Sequence, residues 1–70
     1  DWAQALHQWA TQQLRAGRTD LLSEALPAFE RTLIGIALAE CKGQRQEAAR
    51  RLGWGRNTLT RKIKELGIDR

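Results

Sequence analysis

The 70-residue sequence predicts an all-α domain of about four helices, two at the N-terminal end followed by a helix-turn-helix. Three observations carry this expectation. Proline occurs once, tyrosine never, and β-branched residues are sparse, so little favours strands. Apolar residues return at steps of three and four along most of the chain, the spacing of one helix face. Glycines at 17, 43, 53 and 67 each stand just past such a run, where helices commonly end in a left-handed residue.

The first helix spans Trp2 to Ala16, with Trp2, Leu6, Trp9, Ala10 and then Gln13 or Leu14 on one stripe, and Gly17 ends it. Thr19 or Asp20 caps the second, and Glu24 lies in its first turns, where the helix dipole favours an anion. That helix runs to about Cys41, with Lys42 in its last turn and Gly43 as its stop. Pro27 either kinks it or marks off a separate short turn at 20–26. Leu26, Phe29, Leu33, Ile36 and Ala37 make one stripe, which Ile34, Leu38 and Cys41 widen onto an adjacent face. This is more apolar surface than one short neighbour covers, and in so small a domain the excess points to a helical dimer interface. Gly35 costs about 1 kcal/mol in mid-helix relative to Ala, and either permits a close helix crossing or is merely tolerated.

A third helix over roughly 44–52 turns Ala48, Ala49 and Leu52 inward. Two helices joined by a tight turn need a small residue where they cross and a glycine where the turn takes positive φ, which Ala49 and Gly53 supply. Trp54 plugs the corner and Gly55 precedes the fourth helix. Its core positions Leu59, Ile63 and Leu66 follow i, i+4, i+7, and Gly67 ends it. The whole is one domain, with 1–43 supplying the two N-terminal helices and 44–67 the helix-turn-helix.

Seventy residues make a thin core, since a chain this short buries only about 60% of its unfolded surface. Domains of this size usually need a staple. One cysteine makes no internal disulfide, and one Cys with one His builds no zinc site, so a second copy of the chain or a larger parent protein is the expected staple. A start at Asp1 and the lack of methionine suggest a fragment or processed product. No membrane span or signal peptide is expected, and a lone thiol suits a reducing cytoplasm.

Charge separates the two halves. Residues 1–43 carry four basic groups (Arg15, Arg18, Arg31, Lys42) against five acidic ones, and residues 44–70 carry eight against three. All the excess positive charge therefore sits in the last 27 residues, which fits a polyanion partner and a merely solvated basic face equally. The fourth helix leaves Arg56, Asn57, Thr58, Thr60, Arg61, Lys62 and Lys64 outside. Arg56 opposes the dipole in the first turn, which suggests a use other than stability. In the major groove Arg pairs two ways with guanine and Asn with adenine, and a helix-turn-helix presents the start of its second helix to base edges. Arg56, Asn57 and Arg61 are the candidate base contacts. Thr58, Thr60, Lys62 and Lys64 suit phosphates, as do Gln44, Arg45 and Gln46 with the free amides at the start of the third helix. Trp2, Leu6, Trp9, Leu26, Phe29, Leu33 and Ile36 are the candidate dimer contacts.

The segment Glu47-Ala-Ala-Arg-Arg-Leu-Gly-Trp-Gly-Arg-Asn-Thr-Leu-Thr-Arg-Lys-Ile-Lys-Glu-Leu-Gly67 resembles the C-terminal helix-turn-helix of the Fis-type family, especially as found in enhancer-binding response regulators. Leu21-Leu-Ser-Glu-Ala25 and Glu30-Arg-Thr-Leu33 resemble the second helix of those regulators, so the likeness covers nearly the whole chain. It departs from the nucleoid protein of the family at Trp54-Gly55, where Gly55 replaces a polar cap. The resemblance implies a homodimer in which the helices at 1–16 and 20–41 of both subunits form a bundle that turns two recognition helices toward a palindromic site in double-stranded DNA. It also implies a parent activator of nitrogen regulation in a two-component system. A receiver and an ATPase domain contacting sigma-54 polymerase would precede these residues. Such a domain is cytoplasmic, on the nucleoid when bound, and is not itself an enzyme.

Other residues carry less. Cys41 reads as a small buried apolar residue, with only Lys42 near enough to activate its thiol. His7 lies off the apolar stripe without a ligand partner, and Ser23 has no base beside it. Trp2 and Trp9 at helical spacing read as core rather than as base-stacking platforms. No cofactor, metal, membrane or small-molecule ligand is expected. Two rivals remain. An architectural DNA-bending protein would want more flanking cations, and this chain has no basic arm beyond Arg70. An interaction bundle for an acidic partner has no use for Arg56-Asn57-Thr58 at a helix start.

Overall fold

A computed structural model describes residues 1–68, and Arg70 therefore lies outside the described residues. Four helices and no strands are found among them: α1 (Trp2–Arg15), α2 (Leu21–Glu40), α3 (Arg45–Leu52) and α4 (Arg56–Glu65). The all-α expectation holds, with the boundaries within a residue or two of those expected.

Asp1 caps α1, its carboxylate accepting from the Gln4 amide at 2.9 Å. The helix closes through Gly17 at φ +84°, and the Arg18 amide donates to the Gln13 carbonyl at 3.0 Å. Asp20 stands at the N-cap of α2, as one of two sequence candidates, but it does not cap. Its backbone is left-handed (φ 60°), and its carboxylate accepts from the Ser23 hydroxyl at 2.8 Å instead. Pro27 neither ends α2 nor splits it, because the helix runs on through that position. An interior proline costs about 3 kcal/mol. Packing C-terminal to it, of Phe29 on Trp2 and of Ile34 in the core, offsets that cost.

The end of α2 differs from the sequence expectation. Lys42 is not in the last turn but is the left-handed residue itself (φ 55°), ahead of Gly43 at φ +81°. The Gly43 amide donates to the Leu38 carbonyl at 2.8 Å, which satisfies an end carbonyl that would otherwise be orphaned.

The core lies around the C-terminal half of α2. Ile34, Cys41, Ala48, Ala49, Leu59 and Ile63 are buried, with Ala37, Leu38, Leu52, Trp54, Leu66 and Ile68 packed around them. Ala48 and Ala49 are small enough for α3 to approach α2 and α4 closely, which is why α3 bridges the other two. At about 100° per residue, Glu30, Ile34, Ala37, Leu38 and Cys41 share one face of α2, and Leu22, Leu26, Phe29, Leu33 and Ile36 form a second about 100° around. Ala37 packs against the core and so belongs to the inner face, not to the outer stripe with Leu33.

The outer face is uncovered. No residue of α1 is buried. The helix touches α2 through Trp2, whose ring stacks on Phe29 with centroids 5.9 Å apart. Between them lies an open apolar groove of about 800 Å³, lined by Leu6, Trp9, Leu22, Leu26 and Leu33 among others. The radius of gyration is 14.3 Å, against about 11 Å for a compact chain of this length. No atom outside its own helix and neighbours lies within 4 Å of a Cβ built on Gly35, so no neighbour in this chain requires that glycine.

Candidate nucleic-acid interface

The turn between α3 and α4 is Gly53-Trp54-Gly55. Gly53 sits at φ +86°, where a Cβ would be strained, and the Trp54 amide donates back to the Ala49 carbonyl at 2.8 Å. Trp54 is half-buried against the core, as its corner position suggests. This turn delivers α4 with Leu59 and Ile63 buried and its other side in solvent.

The start of α4 is open. Gly55 offers no side-chain cap, and the first turn holds no acidic residue. The first amides of a helix lack intrahelical partners and concentrate positive potential. Arg56 and Asn57 are exposed there, and Arg61 is exposed one turn on. The Arg61 guanidinium reaches Glu65 at 3.3 Å, both side chains being more than half exposed. Such a pair is worth little and is readily exchanged for another anion.

The structure gathers some of the expected phosphate contacts. Arg45, at the start of α3, shares a cavity of about 480 Å³ with Thr60 and Lys64 of α4. Gln44 and Gln46 are exposed at the same end of α3, where Gln44 occupies the N-cap without a side-chain bond. Thr58 and Lys62 are different. Both are half-buried, and Lys62 turns toward α2, where its Nζ meets both carboxylate oxygens of Glu30 at 3.0 and 3.2 Å.

Sequence reasoning missed this α2 contribution. Beside Glu30, Arg31 donates from Nε to the Leu66 carbonyl at the end of α4, at 3.1 Å. The usable signal was the heptad-like offset of Glu30 and Arg31 from Ile34, which places both on the inner face. A local pair was also missed: Glu47 binds Arg50 through two hydrogen bonds, one of them 3.0 Å from Nε. That bond holds the Glu47 carboxyl below its usual range, with a lesser pull from Arg51, and raises Arg50.

The seven candidate dimer contacts all lie on or beside the open groove or the outer face of α2. Trp2, Leu6, Leu26, Phe29, Leu33 and Ile36 are exposed, and Trp9 is half-buried. Leu22, absent from that set, is more exposed than any of them. Cys41 is buried and His7 exposed, as expected. No cluster of metal-ligating side chains is found among the described residues. No helix among them is long and apolar enough to cross a membrane.

A helix-turn-helix with a cationic second helix, preceded by a long helix that packs into its core, is the arrangement of one class of bacterial regulators. The family model described as "bacterial regulatory protein, Fis family" matches residues 25–70, and the chain belongs to that family. Within it, the chain is similar to the DNA-binding transcriptional regulator NtrC. It is 62% identical to that protein from Escherichia coli (strain K12) and from Klebsiella pneumoniae, and 59% identical to that from Proteus hauseri. Each comparison spans 68 residues, 97% of this chain and 14% of the relative. The solution structure of the DNA-binding domain of NtrC with three alanine substitutions superposes with a TM-score of 0.67. It is 56% identical and is matched over 99% of this chain and 76% of that one.

Proposed function

We propose that this chain is the sequence-specific DNA-binding and dimerisation domain of an NtrC-like bacterial activator, and that it binds a palindromic enhancer as a homodimer. The observation that carries the reading is the uncapped, acid-free start of α4, which presents Arg56 and Asn57 to solvent from a rigid core. In the major groove Arg56 and Arg61 would pair with guanine and Asn57 with adenine. Arg45, Thr60 and Lys64, with Gln44 and Gln46, would hold phosphates beside them. The outer face of α2 and the groove under α1 supply the apolar surface that a second subunit would cover.

The chain spans 14% of its curated relatives, so the activator's remaining functions belong to other parts of a longer protein. In this reading those parts are a phosphorylatable receiver and an ATPase that engages sigma-54 polymerase during nitrogen regulation. The domain works in the cytoplasm, on the nucleoid.

Selection of duplexes from a random pool, followed by titration over a range of salt, tests the reading. The selected site should have a dyad, with half-sites centred about one helical turn or a small multiple apart. Log K should fall by about 0.9 per neutralised phosphate against log salt, summed over both subunits. A site without a dyad, or binding indifferent to salt, would overturn it. A DNA-bending protein of low selectivity would return no consensus, and an interaction bundle no salt-sensitive binding at all.

A further inference from the structure

We propose that Glu30 and Arg31 form a two-point clamp that fixes the direction of α4 relative to α2, and so sets which half-site spacing the dimer accepts. The inference rests on the homodimer reading above. In that reading α2 carries the dimer face on its outer side and the reading head on its inner side. Whatever fixes α4 against α2 therefore fixes the two recognition helices relative to each other.

Apolar contact does this poorly by itself, because it has no direction. Small side chains, Ala48 and Ala49, line the junction, and α3, not α4, makes the broad contact with α2. The polar ties act at two separate points. Glu30 holds the Lys62 ammonium, and the next residue, Arg31, holds the Leu66 carbonyl. These partners lie one turn apart on α4, about 6 Å along its axis. One tie would leave α4 free to swing about it, whereas two define a line.

The chemistry suits each position. Lys62 and Glu30 keep only 22% and 15% of their side-chain surface exposed, so this pair is less screened than Arg61–Glu65. Arg31 places a cation at the C-terminal end of α4, where the dipole favours it. The arrangement also takes Lys62 out of the set of phosphate contacts. In the most basic part of the chain, one lysine is spent on internal geometry.

The test is a set of duplexes carrying the selected half-sites at the native spacing and with one or two base pairs added or removed. Native protein, Glu30→Gln/Arg31→Gln and the charge-swapped Glu30→Lys/Lys62→Glu are compared, with helix content and sedimentation as controls. The double Gln variant should stay a dimer and bind a single half-site as before, while its preference for the native spacing falls about three- to tenfold. The swapped pair should regain that preference and keep the native salt slope. An unchanged spacing preference in the folded double Gln variant overturns the clamp. If that variant unfolds, the swapped pair decides: spacing preference retained supports the clamp, and preference lost in a folded dimer overturns it. A swapped dimer whose salt slope drops by about 0.9 per subunit shows Lys62 on a phosphate, and also overturns it. A native protein that is monomeric or indifferent to spacing overturns the homodimer reading itself, a result visible before any variant is made.

Discussion

The two ends of α2 lead different lives. From Ile34 to Cys41 it lies against α3 and α4, and every fully buried side chain of the described residues belongs to that contact. From Leu21 to Leu33 it faces α1 across an open groove and meets α4 through the polar Glu30 and Arg31, and no residue of α1 is itself buried. The C-terminal half closes with small residues: two alanines let three helices meet around Ile34 and Leu59. The N-terminal half is richer in large apolar side chains and yet leaves them in solvent. Apolar content alone therefore does not make a core, because the faces must also have something to meet. The charges divide the same way, with the excess positive groups on the half whose core is complete. A finished scaffold displays cations, and an unfinished one leaves its apolar surface open.

The largest expected effect falls on the finished half and leaves its stability alone. Replacing Arg56, Asn57 and Arg61 together with Ala removes the proposed base contacts and eases the dipole conflict at Arg56. None of the three is buried, and Arg61 pairs with the exposed Glu65. Melting temperature and dimer mass should hold or improve. Specific binding commonly exceeds non-specific binding by about 4–10 kcal/mol, and most of that margin should vanish in both subunits. Weak, salt-sensitive binding should persist through Lys64 and Arg45. Titration against the selected and a scrambled duplex measures this. A triple variant that keeps its original ratio removes the base-reading role, and one that unfolds shows that these residues support the core.

Leu33→Asp attacks the unfinished half. Leu33 is 42% exposed in the single chain, where a surface change would cost at most about 0.5 kcal/mol. Under the proposed dimer it is covered, and an unpaired buried charge costs about 3–5 kcal/mol. Sedimentation at micromolar concentration should show native dimer and a dissociated or unfolded variant. Equal stability of the two would mean that the groove stays open in solution.

Much of this division is legible in the sequence. The i, i+4, i+7 run of Leu59, Ile63 and Leu66 orients α4, and Ala48-Ala49 ahead of Gly53 marks the crossing, because local periodicity and turn chemistry act within a few residues. What escapes depends on distant parts of the chain. Nothing near Pro27 says whether packing will carry a helix through it. Nothing near Lys62 reveals Glu30, which lies 32 residues away. The hint available was that Lys62 sits about 60° around α4 from Leu59, at the edge of its core stripe. Lys42 is also instructive, since its left-handed conformation falls one residue before the glycine that the pattern singles out.

Gly53→Ala probes the turn with a smaller effect. No atom outside its chain neighbours lies within 4 Å of the added Cβ, so the cost is the left-handed backbone alone. That strain is about 1–2 kcal/mol. Thermal unfolding should show a loss of this size, with half-site affinity preserved once the protein is folded. A loss several times larger would mean that the turn, not the helix packing, limits the stability of the finished half.

The smallest effect is also in that half, and it is read from pH. Glu47 lies in the first turn of α3, and its carboxyl is held below the usual range chiefly by the hydrogen bond from Arg50. A carboxyl depressed in the folded state binds fewer protons than it does in the unfolded chain, so its contribution is present above the unfolded value of about 4.5. It is lost as pH falls from there through the lower folded value, since protonation then proceeds in both states. Both partners are solvent-exposed, so the contribution should be smaller than that of Gly53. Comparison with Glu47→Gln isolates the part that belongs to this carboxyl. The native chain should melt slightly above the variant near pH 7, and the two curves should converge as pH falls below the unfolded value of about 4.5. A difference that persists unchanged at low pH would assign the role of Glu47 to packing at the start of α3 rather than to its charge.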